Sequence, residues 1–91
     1  MRKVYYFPVP AVVQPFTIST HDGAEALHLG ERWNEAKGKH VLTVWAEVET
    51  EEQHADMELL VAATGQEIPN GYAYICTHQE SGGLVWHLYQ K

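Results

Sequence analysis

This chain predicts an all-β domain: a small antiparallel β-sandwich or barrel of about seven short strands. Apolar and polar residues alternate with period two in several segments, most clearly from His40 to Glu49. Turn-forming clusters interrupt the pattern at intervals of roughly 8–12 residues, as between short antiparallel strands. Adjacent apolar pairs, Leu59/Leu60, Val61/Ala62 and Leu84/Val85, put apolar side chains on both faces of their strands. Two layers or a closed barrel must cover them.

Taken in order, Val4-Tyr5-Tyr6-Phe7 is rich in strand formers and closes at Pro8-Val9-Pro10, whose prolines cannot donate to a ladder. Phe16 to Thr20 is a second strand, stopped by the turn signal His21-Asp22-Gly23. Ala24 to Gly30 reads as a strand that runs out at Gly30. Its Ala, Glu and Leu content leaves a β-rich α+β alternative, with one short helix over 24–30 packed on a sheet. Glu31 to Lys39 is polar and reads as a connecting loop. In His40–Glu49, Leu42, Val44, Ala46 and Val48 form one face and Thr43, Trp45, Glu47 and Glu49 the other. Thr50 to Asp56 is acidic and solvated, and Met57 to Thr64 alternates again. Pro69-Asn70-Gly71 is a turn leading into the last pair of strands.

That pair, Tyr72 to Lys91, is the most informative segment. A two-residue turn at Gly82-Gly83 pairs Ser81 with Leu84, Thr77 with Leu88 and His78 with His87. Ala73, Ile75 and Thr77 then share a core face with Leu84, Trp86 and Leu88. Tyr72, Tyr74, Cys76 and His78 share the other face with Val85, His87 and Tyr89. That second face is aromatic and imidazole-rich, neither a standard core nor a standard surface.

Composition bounds the rest. Ninety-one residues form one domain over 1–91, with a hydrophobic fraction of 45%. A chain of this size buries only roughly 60–65% of its unfolded surface. The net charge is −6, and Arg2, Lys3, Arg32, Lys37, Lys39 and Lys91 form no run, which argues against duplex nucleic acid. Cys76 is the single cysteine, which excludes an internal disulfide framework and fits a reducing compartment. Met1-Arg2-Lys3 resembles the start of a signal peptide, but Pro8, Pro10 and Pro15 interrupt any apolar stretch after it. No run approaches the ~18 apolar residues of a membrane span. A soluble, cytoplasmic domain is the expectation.

Tyr5-Tyr6-Phe7-Pro8-Val9-Pro10, Val44-Trp45-Ala46-Glu47-Val48, Ala63-Thr64-Gly65-Gln66-Glu67-Ile68-Pro69 and Gly82-Gly83-Leu84-Val85-Trp86-His87-Leu88-Tyr89 are scattered along nearly the whole chain. In these segments the sequence resembles a family of small, uncharacterised bacteriophage and prophage proteins. The resemblance implies a viral origin, a place in the host bacterial cytoplasm and a compact β-domain, and it carries over no active site.

No Gly-x-Ser-x-Gly, P-loop or His-Glu-x-x-His motif is present, and the expectation is a binding protein, not an enzyme. Cys76 with His78 and His87 forms at most a weak nucleophile pair or metal site, because the tight ligand spacings of structural zinc are missing. No cofactor is expected. The acidic set Glu47, Glu49, Glu51, Glu52 and Glu58 reads as a solvated edge, and His21, His28, His40 and His54 as turn or surface residues. The expected function is that of a phage accessory protein acting in counter-defence. It would bind a host defence protein or sequester a small signalling nucleotide. Tyr72, Tyr74, His78, His87 and Tyr89 would form the contact surface, and Arg32 would meet any phosphate. The alternative is a minor virion or assembly component. In either case the aromatic face is expected to support a homodimer or higher homo-oligomer.

Overall fold

In the computed structural model, which describes residues 1–10 and 12–91, seven strands form two antiparallel sheets packed as a small sandwich. The strands are β1 (Arg2–Pro8), β2 (Phe16–His21), β3 (Glu25–Asn34), β4 (Lys39–Glu49), β5 (His54–Ala63), β6 (Ala73–Gln79) and β7 (Val85–Gln90). The first sheet has the order β1-β4-β3 and the second the order β2-β5-β7-β6. The all-β expectation therefore holds.

Strand β4 shows why these residues make this fold. Its Leu42, Val44, Ala46 and Val48 point between the sheets, as the strict alternation requires, and the last three are fully buried. Leu29 and Ala26 from β3, Met57, Leu59 and Val61 from β5, and Leu88 from β7 complete the core. Phe7, Val9, Phe16 and Trp86 pack around it.

Three local expectations need correction. The helix over 24–30 does not form: Glu25 begins a strand paired with β4, and a bulge between Ala26 and His28 absorbs the irregular pattern. The loop over 31–39 shrinks to residues 35–38. Glu31 to Asn34 remain in the ladder, and the turn closes with Lys37 N donating to Asn34 Oδ1 (2.9 Å) and Gly38 N to Asn34 O (2.8 Å). Gly38 has φ +64°, the left-handed conformation that glycine adopts without strain. The acidic segment also shortens, because β5 starts at His54. There His54 pairs with His21, their rings stacked 4.8 Å apart, so two histidines read as unrelated are cross-strand neighbours.

Along one edge the sheets are clasped. The Gln90 side chain at the end of β7 accepts from Ala26 N and donates to Ala24 O, each at 2.8 Å, beside the β3 bulge. Further along the same edge His78 Nε2 of β6 meets Glu31 Oε2 of β3 at 3.1 Å. Replacing Gln90 by Ala strands a part-buried N–H and a carbonyl at once. Urea denaturation is expected to show a loss of about 1–3 kcal/mol, against a near-neutral effect for Gln79→Ala on the exposed side of β6.

Candidate functional site

The β6–β7 hairpin positions most of the aromatic and imidazole side chains, and its register decides which of them meet. The turn is one residue longer than a Gly82-Gly83 pair. Glu80 N donates to Leu84 O (2.8 Å) and Gly83 N to Glu80 O (2.9 Å), leaving a three-residue loop with Gly83 at φ +92°. The slip places Thr77 opposite His87 and His78 opposite Trp86, so the expected His78–His87 pair does not exist. A one-residue slip moves each side chain to the other face. Cys76 and His78 consequently turn inward, and Thr77 turns out. A bulge between Tyr74 and Cys76 then restores the phase, pairing Tyr74 with Tyr89.

The outer face of the second sheet thus carries Tyr74, Val85, His87 and Tyr89. Tyr74 and Tyr89 meet edge to face, with centroids 5.7 Å apart. Both His87 ring nitrogens are engaged: Nε2 lies 2.9 Å from Thr64 Oγ1 and Nδ1 2.9 Å from Thr77 Oγ1, which in turn lies 2.6 Å from the Tyr74 hydroxyl. Leu60 and Ala62 share this face yet are buried, and their ladder partners are Tyr89 and His87. Part of the aromatic surface therefore covers the domain's own strand, and Tyr74, at 57% exposure, is its most open ring. Tyr72 donates its hydroxyl to Glu58, and Lys91 Nζ sits 3.9 Å from the same carboxylate.

The other sequence-predicted residues lie elsewhere. His78 faces inward and is held by Glu31. Cys76 is half-buried and packs on the core, and burial pushes its thiol pKa up, away from nucleophile chemistry. With His87 on the opposite face of the sheet, the set Cys76, His78 and His87 cannot converge on a metal. No group of three or more His, Cys, Asp or Glu among the described residues is placed to hold one. Arg32 lies on the outer face of the first sheet, its guanidinium 3.7 Å from the Tyr6 ring centroid, and does not join the tyrosines. On that same face the His28 and Trp45 rings close over Gly30, where a Cβ would come within 3.2 Å of both.

A second feature was not legible in any single segment. The chain between β1 and β2 runs across the mouth of a cavity of about 600 Å³, with Val9, Val12 and Val13 on one side and Leu42, Val61 and Trp86 on the other. The last three come from the inner faces of β4, β5 and β7, so the cavity opens into the space between the sheets. Its lining is almost entirely apolar, and the one indole N–H there is already donated to Glu80 Oε2 at 3.2 Å. Two contacts fix the crossing segment: Val9 N donates to Leu42 O (2.9 Å), and Gln66 Nε2 donates to Val13 O (2.7 Å) while Gln66 Oε1 accepts from Ala63 N (3.1 Å).

A family model described as a domain of unknown function (DUF7352) matches residues 1–91. No curated protein and no solved structure matches the chain.

The Tyr72–Glu58 contact has a pH signature. Hydrogen bonding to the carboxylate is the largest cause of a rise in the Tyr72 phenol pKa from 10.0 to about 12. The folded value exceeds the unfolded one, so the stabilisation is complete below pH 10 and is lost as the pH climbs toward 12. Ultraviolet titration is expected to show one late-ionising tyrosine that Glu58→Gln returns toward the ordinary phenol range.

Proposed function

We propose a role for this chain, which belongs to the DUF7352 family of domains of unknown function, from its site alone: it is a binding protein that receives an apolar group between its two sheets. The observation that supports this is the apolar cavity that Val9, Val12 and Val13 line together with Leu42, Val61 and Trp86. Its volume of about 600 Å³ falls within the range of small-molecule sites, which are typically concave, mostly apolar and roughly 300–1,000 Å³. A domain this small gains by filling such a space with its own side chains, since each missing contact costs packing energy. Leaving it open is a cost that a ligand would offset. In the phage accessory role expected from the resemblance, the occupant would be a host molecule. A phosphorylated nucleotide on the tyrosine face is the weaker form of that role, because Arg32 lies on the other sheet and the nearby Lys91 is beside Glu58.

The test is direct. Phenylnaphthylamine, a neutral dye that brightens in apolar surroundings, is expected to bind the wild-type protein with one-site behaviour. Val12→Asp with Val13→Asp, at positions 39% and 50% exposed and so tolerant of the change, should weaken binding at least about tenfold by desolvating charge in the lining. Circular dichroism should be unchanged. A wild-type protein that leaves the dye dark overturns the reading.

A second reading is self-association through the outer face of the second sheet, favoured by the exposed Tyr74 ring and its contact with Tyr89. Light scattering is expected to give a dimer that Tyr74→Asp with Tyr89→Asp dissociates into folded monomers. A monomeric wild type ends it.

A further inference from the structure

We infer that the ligand of this cavity is an amphipathic organic anion, an apolar body carrying one acidic head such as a carboxylate or sulfonate. The inference rests on the reading of the cavity as a binding site and adds the charge of what enters it.

The apolar cavity does not stand alone. A second cavity of about 250 Å³ shares Val9, Pro10 and Leu42 with it, so the two adjoin across the same residues. Its polar wall comes from the β3–β4 hairpin: Lys37, Lys39, His40 and Asn34. The hairpin holds these groups in place through the Asn34 contacts to Lys37 N and Gly38 N. His40 lies two residues before Leu42 on the same face of β4, so the imidazole continues the line of the cavity wall, its ring edge-on to Trp33 at 5.5 Å.

The charge distribution gives this wall its meaning. Of the six Lys and Arg side chains, Arg2 is paired with Glu47, Lys91 lies 3.9 Å from Glu58, and Arg32 is stacked on Tyr6. Lys3, opposite Val48 on β1, has no ion pair among the described residues but lines neither cavity. Among the described residues neither Lys37 nor Lys39 forms an ion pair. Two unpaired lysines beside an apolar cavity are conspicuous in a chain of net charge −6. The carboxylates nearest this region are turned to other work. Glu31, the ladder partner of Leu42, is held by His78, and Glu80 accepts the Trp86 N–H. Glu35, in the same turn, lines the neighbouring cavity on the Tyr6 and Arg32 side and not the one that Lys37 and Lys39 line. An oxyanion in the cavity beside the hairpin would meet the ammonium donors of Lys37 and Lys39, and no carboxylate lines that cavity. Such charge-assisted hydrogen bonds are about twice as strong as neutral ones. The apolar body would take its free energy from burial under the Val9–Gln14 crossing.

Two dyes with one ring skeleton separate body from head: phenylnaphthylamine, which is neutral, and anilinonaphthalene sulfonate, which carries the acid. Lys37 is an exposed turn residue and Lys39 the exposed first residue of β4, so Lys37→Gln with Lys39→Gln leaves the fold intact. The double variant is expected to bind the sulfonate dye about tenfold more weakly at low salt, a gap that closes as salt screens the lysines, and the neutral dye equally well. Dodecanoate should displace the neutral dye from the wild type, and dodecyltrimethylammonium should not. Sulfonate binding indifferent to the double variant, or equal competition by the ammonium, overturns the anionic ligand while the cavity reading stands. Failure of both dyes to bind the wild type brings down the cavity reading as well.

Discussion

The clasp along the β3 edge is the contact from which the rest of the domain takes its shape. Two sheets of three and four strands must lie close enough to bury Leu29, Val44, Leu59 and Leu88, yet they share no ladder. Gln90 solves this with a side-chain amide that pairs with two backbone groups of the opposite sheet, and His78 with Glu31 repeats the connection further along. The opposite edge shows no equivalent among the described residues. Pro8 ends β1, Pro10 and Pro15 offer no donor, and the chain leaves the sheet to cross between the layers. Only Val9 N and the Gln66 amide tie that crossing down. One edge is closed by side chains that reach across the sheets, and the other is bridged by a proline-interrupted segment with few hydrogen bonds. The space left over is the cavity.

How much of this the sequence shows depends on whether the signal is local. Strand β4 was legible to within a residue, because Leu42, Val44, Ala46 and Val48 alternate without interruption and all serve one core. The second half of β3 was not. Glu31 and Arg32 look like loop residues until Glu31 is matched with His78 and Arg32 with Tyr6, and both partners are remote in sequence. The hairpin failed more instructively. Gly82-Gly83 has the composition of a two-residue turn, and the three-residue loop that forms instead differs by a single position. That position sends Cys76 and His78 inward. The bulge after Tyr74 then cancels the error for the tyrosines, so the aromatic face survives with different companions. A bulge leaves no mark in a pattern of alternating residues, and no reading by period alone could have placed it. The cavity was invisible for the same reason, since Val13, Leu42, Val61 and Trp86 belong to four separate segments.

The tyrosine face and the cavity divide the second sheet between them. On the outer side, Tyr89 and His87 lie opposite the buried Leu60 and Ala62, and a chain of short contacts from Thr64 through His87 and Thr77 to Tyr74 engages the His87 ring and the Tyr74 hydroxyl. These groups are already committed, which is the mark of structure more than of an empty site. On the inner side, Trp86 and Val61 have apolar neighbours on one flank and open volume on the other. The engaged hydrogen bonds of the outer face give it less need of a polar ligand. The inner face, whose apolar surface is incomplete, has more need of an apolar one.

Stability and binding are then coupled by construction. A sandwich of 91 residues works with a small margin, and an unfilled apolar space of this kind lowers it further. Any molecule that enters the folded state and not the unfolded chain returns part of that margin, in proportion to its concentration over its dissociation constant. Val9 and Val13, on the β1–β2 side of that space, are each tied by one hydrogen bond, Val9 N to Leu42 O and Gln66 Nε2 to Val13 O. The prolines that end β1 therefore help to set the cost that a bound molecule would offset.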